Sequence, residues 1–168
     1  MSNHAAQIES AVGSGVVSHS ALHGGCVAEV VRARLEDGRD VVVKLDGGAE
    51  PKLDREAFML GVLRDAGVRV PGVIHAEPAL LAMEHIENDG TRSAEGEAEL
   101  ARIVAEMHGH SADRYGLDRD TLIGPLDQPN GWHDDWPAFY ASRRIAPMVD
   151  LAERRGALPR GCRERLRG

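Results

Sequence analysis

The sequence lacks the features that mark membrane, secreted and nucleic-acid-binding proteins. No apolar run approaches the roughly 18 residues that a membrane-spanning helix needs. The start, MSNHAAQIES, has neither the basic nor the apolar region of a signal peptide. The 168 residues include 27 acidic and 20 basic side chains, which gives a formal charge of −7. We therefore expect no membrane partner, and because the excess charge is acidic we expect no nucleic-acid partner.

Cysteine is scarce as well, since only Cys26 and Cys162 occur. Two widely separated cysteines are too few for the disulfide framework of a small secreted domain. No C-x-x-C pair indicates a zinc site, and no G-x-S-x-G elbow indicates a serine hydrolase. We therefore expect a reduced, cytoplasmic protein, and we assign no metal ligand within this sequence.

The first half of the sequence has the periodicity of strands around one helix. Residues 27–45 hold two apolar runs that meet at Asp37-Gly38, a dipeptide typical of hairpins. Residues 50–67 have helical spacing, with Pro51 suited to the start and Gly67 to the end. Two short apolar runs follow, with Pro78 at the turn between them. The order β-β-α-β-β over residues 12–87 predicts a small mixed α+β lobe.

The second half is predicted to be helical. Residues 88–93 form a polar linker, and Ser93 can cap a helix whose apolar face includes Ala101, Val104, Ala105 and His108. Residues 111–133 predict an irregular connection. A further helix then starts with Asp134 or Asp135 as its cap, and Pro147 should bend or break it. The sequence thus predicts two lobes, 1–87 and 88–168, with a hinge near residues 84–88 and an incomplete second lobe.

Lys44 ends the valine run RDVVVK, and Glu56 lies on the inward face of the following helix. A carboxylate on that face needs a partner, because burying an unpaired charge is costly. Lys44 on the adjoining strand is the obvious partner. Such a pair suits a phosphate clamp, and it equally suits a structural salt bridge near the surface.

Other residues leave a structural and a functional interpretation open. Gly24 and Gly25 can form a simple turn or a loop whose N–H groups approach a phosphate. The end of the run LLAMEHIE can be an edge strand or a hinge that hydrogen-bonds a flat base. His108 fits a packed core residue better than a ligand. Trp132 and Trp136 fit packing anchors, although sugar stacking is not excluded.

Taken in order, these segments resemble the fructosamine kinase (ketosamine-3-kinase) family, within the aminoglycoside-phosphotransferase-like group of kinase folds. The similarity covers residues 22–160. Its most specific parts are IG-x-L-x-Q-x-N at 123–130 and DW-x-x-F-Y-x-x-R-R-I-x-P at 135–147. The resemblance implies an α+β, protein-kinase-like two-lobe fold, with an antiparallel sheet and one helix in a complete N-lobe and a truncated helical C-lobe.

The resemblance also implies a site and a reaction. Lys44, held by Glu56, would orient the α- and β-phosphates of ATP beneath a loop containing Gly24, Gly25 and Cys26. The adenine hinge would be Met83, Glu84, His85 and Ile86, which would contact the base through backbone groups. The implied reaction is the ATP- and Mg²⁺-dependent phosphorylation of a hydroxyl on a ketosamine, either a small molecule or a glycated protein lysine. Such phosphorylation reverses glycation.

The departures from the family pattern limit this prediction. The family's catalytic HGD segment and its metal-binding Asn and Asp are not found in these residues, and we expect them beyond residue 168. The 168-residue chain alone is therefore predicted to be inactive. Two alternatives stay open: a non-catalytic nucleotide-binding or assembly module, and a kinase for an aminoglycoside-like acceptor. A homodimer through Cys26 or through exposed C-lobe helices is a further expectation.

Overall fold

A computed structural model describes residues 3–22, 28–88, 90–159, 161, 162 and 165. The chain separates into two compact units, which we call the sheet unit (residues 1–110) and the C-terminal unit (residues 111–168). The predicted lobe boundary between residues 87 and 88 stays a prediction. None of the helices in the described ranges is both long enough and apolar enough to cross a membrane.

The sheet unit contains one five-stranded antiparallel sheet and three helices. The elements are α1 (Asn3–Val12), β1 (Val16–Ala21), β2 (Glu29–Leu35), β3 (Asp40–Leu45), α2 (Leu53–Asp65), β4 (Val73–Glu77), β5 (Leu80–Glu84) and α3 (Ala94–Gly109). The strand order is β1-β2-β3-β5-β4. The prediction of an antiparallel sheet is confirmed. The predicted lobe was incomplete, because it had one helix and the order β-β-α-β-β, whereas α1 and β1 precede the predicted elements.

The hairpin of β2 and β3 forms as its sequence predicts. Gly38 adopts a φ of +87°, which glycine reaches without the steric cost that a side chain would add. The Leu35 N–H closes the loop by donating to the Arg39 carbonyl at 2.9 Å. Val31 is paired with Val43, and both side chains are buried on the same face of the sheet. The alternation of the two runs therefore sets which side chains enter the core.

The sheet is covered by α1 on one face and by α2 on the other. The larger apolar core lies on the α1 face and is made of Ile8, Val12, Val31, Ala33, Leu35, Val41, Val43, Leu80 and Ala82. The smaller core lies on the α2 face, where Leu53, Leu81 and Met83 are buried against partly buried apolar neighbours. Because β3 and β5 bury side chains on both faces, their sequences are nearly continuous apolar runs.

Helix α1 was missed at the sequence level although its pattern is present. Ala5, Ile8 and Val12 are buried, and their spacing of three and four residues places them on one helical face. Only these three apolar positions are buried in a ten-residue helix that includes His4, Gln7 and Glu9, so the periodic signal is short. The Glu9 carboxylate then accepts the Val16 N–H at 3.0 Å, which connects α1 to the start of β1.

Helix α2 begins two residues after Pro51, and Gly67 follows its end as predicted. Its N-cap position, Lys52, makes no side-chain capping bond. Instead the Leu53 N–H donates to the Pro78 carbonyl at 2.9 Å, so the turn between β4 and β5 satisfies the start of the helix. This contact fixes the helix relative to β5.

Helix α3 is capped as predicted but is not packed as predicted. The Ser93 hydroxyl accepts the Gly96 N–H at 3.1 Å. However, no residue of α3 is buried, and Leu100 is 61% exposed and Val104 37% exposed. His108 is exposed too, so its interpretation as a core histidine is wrong. The four residues of the predicted apolar face are all exposed, and the half-buried positions among residues 101–110 are Ile103 and Met107.

Over residues 111–159, the C-terminal unit contains a short hairpin and one long interrupted helix. Strands β6 (Thr121–Ile123) and β7 (Leu126–Gln128) pair antiparallel across Gly124-Pro125, within the stretch predicted to be irregular. Gly116 lies upstream with a φ of +117°, and a Cβ there would lie 2.1 Å from the Gly131 carbonyl oxygen. The backbones approach too closely for any other residue at this position.

The long helix follows the prediction at its cap, whereas it continues through Pro147. Helix α4 (Trp136–Tyr140) is capped by Asp135, whose carboxylate accepts the Ala138 N–H at 2.8 Å. A π-helical turn, Ala141–Ile145, joins α4 to α5 (Ala146–Arg154). Pro147 has no N–H for the Arg143 carbonyl, which instead accepts from Arg144 Nη1 at 3.0 Å. Pro147 therefore accompanies a local change of helix type rather than a break.

Candidate functional site

Lys44 and Glu56 form a direct ion pair. Lys44 Nζ donates to Glu56 Oε1 at 2.5 Å, and the two side chains keep 28% and 32% of their area exposed. The predicted contact between strand and helix is therefore present. An ammonium has three N–H donors, and the bond to Glu56 uses one of them. Because both side chains are partly exposed, a further group can reach the ammonium.

The sequence places this pair by two simple periodicities. On β3, Val43 and Leu45 point toward α1, so Lys44 between them must point toward α2. On α2, Glu56 lies three residues after the buried Leu53, on the side that packs against the sheet. The Lys44–Glu56 pair thus depends on α2 packing against β4 and β5, which fixes the distance between helix and strand.

An apolar surface lies beside Lys44 on the same face of the sheet. Val30 is directly opposite Lys44 on β2, and Val42 precedes Lys44 by two residues on β3. Side chains at these positions share one face, and both valines are half-buried. Sequence reasoning missed this surface, although counting back in steps of two from Lys44 identifies Val42. A cation beside a flat apolar surface suits a ligand with an anionic end and an aromatic ring.

The proposed hinge residues occupy the end of β5 and the segment after it. Met83 is buried on the α2 face opposite Val42. Glu84 is exposed and ends the strand, and His85 and Ile86 follow without regular structure. The four residues therefore differ: Met83 is a core side chain, Glu84 is exposed, and His85 and Ile86 are half-buried.

Gly24, Gly25 and Cys26 lie outside the described residues. Their flanks are described: β1 pairs antiparallel with β2, and the Leu22 N–H donates to the Val30 carbonyl at 2.7 Å. Val30 is also the cross-strand neighbour of Lys44, so β2, the strand that follows this connection, lies directly beside that lysine.

A charged cluster lies at the opposite end of β3 from Lys44. The Asp40 carboxylate accepts from Arg32 at 3.0 Å and from Arg34 at 2.9 Å. The hydrogen bond from Arg32 is the largest cause that holds the pKa of Asp40 below its ordinary value, and the bond from Arg34 adds to it. The Asp40 carbonyl also accepts the His85 N–H at 3.4 Å. The cluster of Arg32, Arg34 and Asp40 therefore contacts the segment that follows β5. The sequence alone did not single out this cluster.

Metal-binding chemistry is not supplied by these residues. Across the described ranges, no three His, Cys, Asp or Glu side chains converge as a metal site would require. We therefore derive no step through Mg²⁺. Lys44 and the apolar surface beside it have the chemistry that suits a ligand with an anionic group and an aromatic base.

The two most specific sequence stretches form a structural network in the C-terminal unit. Asn130 is 3% exposed, and its amide donates to the Thr121 hydroxyl at 3.0 Å and to the Arg119 carbonyl at 3.1 Å. Arg144 donates to Asn130 Oδ1 at 2.8 Å, and its guanidinium lies 4.6 Å from the centre of the Phe139 ring. Burial lowers the pKa of Arg144, but a guanidinium stays charged at neutral pH. These residues connect the hairpin to the helix.

Comparison with known proteins identifies the family of this chain. A family model described as fructosamine kinase matches residues 1–166. Ketosamine-3-kinase of Mus musculus is 29% identical over 163 residues, covering 79% of this chain and 52% of that protein. The chloroplastic protein-ribulosamine 3-kinase of Arabidopsis thaliana is 30% identical over 138 residues, covering 77% of this chain and 41% of that protein. The chain thus spans about half or less of the length of these relatives.

A solved structure gives the same result. The crystal structure of a candidate fructosamine-3-kinase from Thermobifida fusca superposes with a TM-score of 0.76 at 29% identity. The superposition covers 95% of this chain and 57% of that one. The extent of the family match, together with the described sheet and the Lys44–Glu56 pair, leads to one conclusion: this chain belongs to the fructosamine kinase family.

Proposed function

We propose that this chain supplies the ATP-binding part of a kinase that phosphorylates a hydroxyl of a sugar-amine adduct. The observation that carries the proposal is the Lys44–Glu56 ion pair, half-exposed beside Val30 and Val42. Family membership supports the reaction class, because the relatives are named as ketosamine and ribulosamine kinases. The acceptor proposed here is accordingly a ketosamine, either free or as a glycated lysine.

Lys44 is proposed to bind the α- and β-phosphates of ATP. Glu56 restricts the lysine side chain by accepting one of its N–H groups, so the remaining donors point in defined directions. A preoriented ammonium loses less conformational entropy on binding than a mobile one. The loop of Gly24, Gly25 and Cys26 is proposed to cover the phosphates, and that role stays a prediction.

The adenine ring is proposed to lie against Val30 and Val42. The backbone of Glu84, His85 and Ile86 borders this surface along the sheet, because Glu84 is the residue on β5 that pairs with Val41. The Glu84 and His85 N–H groups donate to carbonyls within the chain, so the other main-chain groups of residues 84–86 are proposed to bind the base edge, and apolar side chains to pack on its faces. Met83 would contribute packing rather than a backbone contact.

The described part of the chain supplies neither a catalytic carboxylate nor Mg²⁺ ligands that we can name. No HGD segment occurs in the sequence, and phosphoryl transfer depends on a positioned acceptor and on neutralised phosphate charge. We therefore expect the 168-residue chain alone to bind ATP without transferring phosphate. The test is incubation with ATP, Mg²⁺ and a fructosamine-modified lysine peptide, and release of phosphorylated peptide would contradict this expectation.

The binding proposal has a matched control within the chain. Lys44 and Lys52 are the two lysines of the sequence, and both are partly buried. Lys44→Ala should weaken ATP binding about tenfold or more, because a charge-assisted hydrogen bond contributes roughly 1.5–3 kcal/mol. Lys52→Ala should leave the affinity within about twofold of the original. The ATP affinities of the original chain and the two variants are measured by calorimetric titration. Equal affinities would show that Lys44 forms a structural ion pair and does not bind ATP.

A second candidate function, assembly, is favoured by exposed aromatic side chains. Five of the six aromatic residues lie within positions 115–140, and Tyr115, Trp132, Trp136 and Tyr140 are each 43–49% exposed. Exposed apolar surface of this kind favours association. Sedimentation at micromolar concentration tests this candidate, and a monomer at every concentration would argue against it. A dimer through Cys26 stays a prediction, as does a cytoplasmic location.

A further inference from the structure

The segment after β5 is held from two sides. The Glu84 N–H donates to the Gly72 carbonyl at 2.8 Å, and the Gly72 N–H donates back to Glu84 Oε2 at 3.2 Å. The Glu84 side chain is thus engaged with the residue that precedes β4. On the other side, the His85 N–H donates to the Asp40 carbonyl at 3.4 Å, which connects the segment to the start of β3.

The Asp40 side chain is held by two ion pairs. Its carboxylate accepts from both Arg32 and Arg34, two strand residues that share one face of β2. The backbone carbonyl of Asp40 therefore belongs to a residue whose side chain is anchored twice. The Arg–carboxylate bonds restrict the rotation of the Asp40 side chain, and Asp40 is also the residue whose main-chain carbonyl meets His85.

We propose that Asp40 and Glu84 are positioning residues that hold the backbone of residues 84–86 in the geometry that binds the base of ATP. The inference rests on the proposed function, since the segment matters for activity only if a nucleotide binds there. Neither side chain has to touch the nucleotide. Glu84 acts through Gly72, and Asp40 acts through the His85 N–H, so both affect the base through the main chain.

The hairpin of β2 and β3 offers a matched control. Asp37 is bound to Arg39 through its carboxylate at 2.8 Å and also accepts the Arg39 N–H at 3.0 Å. Like Asp40, it is an aspartate whose pKa is lowered chiefly by an arginine hydrogen bond. Asp37 lies in the turn, however, and none of its hydrogen bonds described above involves residues 84–86. A general effect on the hairpin should therefore appear in both variants, and a positioning effect only in the Asp40 variant.

The test is titration of the 168-residue chain with ATP and Mg²⁺, using Asp40→Ala, Glu84→Ala, Glu84→Gln and Asp37→Ala. We expect about fivefold weaker binding for Asp40→Ala and Glu84→Ala, the change that corresponds to one hydrogen bond. Glu84→Gln keeps an acceptor oxygen for Gly72 and should restore most of the affinity. Asp37→Ala should bind as the original chain does, with a comparable unfolding midpoint.

Amide hydrogen exchange gives a readout that does not need the nucleotide. The His85 amide should exchange faster in Asp40→Ala and at its original rate in Asp37→Ala. Unchanged ATP affinity in both Asp40→Ala and Glu84→Ala would overturn the positioning role while leaving the proposed function intact. If the original chain does not bind ATP at all, the proposed function fails, and this inference fails with it.

Discussion

The two units of this chain are stabilised by different kinds of interaction. The sheet unit buries apolar side chains on both faces of its sheet, and the residues of its larger core are all aliphatic. The C-terminal unit buries Phe139, but it also buries Asn130 and Thr121 and surrounds them with charge-assisted hydrogen bonds. The comparison shows that a local sequence pattern can specify which apolar residues are buried. A buried polar network also needs particular partners that are distant in the sequence.

The most specific family motifs and the proposed ATP-binding pair also lie in different units. The most specific sequence stretches lie in the C-terminal unit and connect its hairpin to its helix through Asn130 and Arg144. The ion pair proposed to bind ATP lies in the sheet unit, between a strand and a helix of ordinary sequence. The distinctive motifs of this chain therefore connect structural elements, and the contact proposed to bind ATP depends on the fold that places Lys44 opposite Glu56.

The largest effect is expected from a cavity in the apolar core. Ile8 is fully buried, and Ile8→Ala should lower the free energy of unfolding of the sheet unit by about 3 kcal/mol, because the lost packing leaves a void. Hydrogen exchange of the β3 and β5 amides measures it. Val17→Ala is the matched control, since Val17 is 65% exposed, and its effect should stay below about 0.5 kcal/mol. Equal effects would show that α1 is not part of the core.

A somewhat smaller effect is expected from the polar network. Asn130→Ala should destabilise the C-terminal unit by about 2 kcal/mol, because the Thr121 hydroxyl and Arg144 each lose a buried partner. Trp132 and Trp136 are the two tryptophans of the chain, so their fluorescence reports unfolding of this unit. Gln7→Ala removes an exposed amide and is the control. If the two variants unfold alike, the network is not what stabilises this unit.

The smallest effect is expected for the pH dependence of stability that arises from the charges on the β2–β3 hairpin. Hydrogen bonds from Arg32 and Arg34 keep the pKa of Asp40 lower in the folded chain than in the unfolded chain. A depressed folded-state pKa adds stability that is present above the unfolded value, about 3.9, and is lost as the pH falls through the folded value. The difference in unfolding midpoint between the original chain and Asp40→Asn should therefore be constant from pH 7 to about pH 5 and shrink below about pH 4. A difference that grows toward low pH would contradict this sign.

Much of the sheet unit could be predicted because its signals are local. Asp37-Gly38 marks a turn, and alternation decides which residues of β2 and β3 are buried. The Lys44–Glu56 contact followed from an inward carboxylate that needed a partner. The pairing of β3 with β5 involves residues about 40 positions apart, and no local pattern specifies it.

The remaining features depended on contacts that periodicity does not contain. Asn130 and Arg144 are 14 positions apart and lie on different elements, so neither residue indicates the other. The hairpin of β6 and β7 has only three residues in each strand, too few for alternation to be recognised. His108 was interpreted as a packed residue of α3, but an amphipathic pattern does not give the partner that would cover it, and no residue of α3 is buried.

The most direct test of the central claim is a double-mutant cycle on ATP affinity with Lys44→Ala, Glu56→Gln and the double variant. If Glu56 acts by orienting Lys44, its loss matters only while the lysine is present. The double variant should then bind ATP about as weakly as Lys44→Ala alone, with a coupling of about 1 kcal/mol. Additive losses would contradict the account, since they would mean that strand and helix do not form one nucleotide-binding unit.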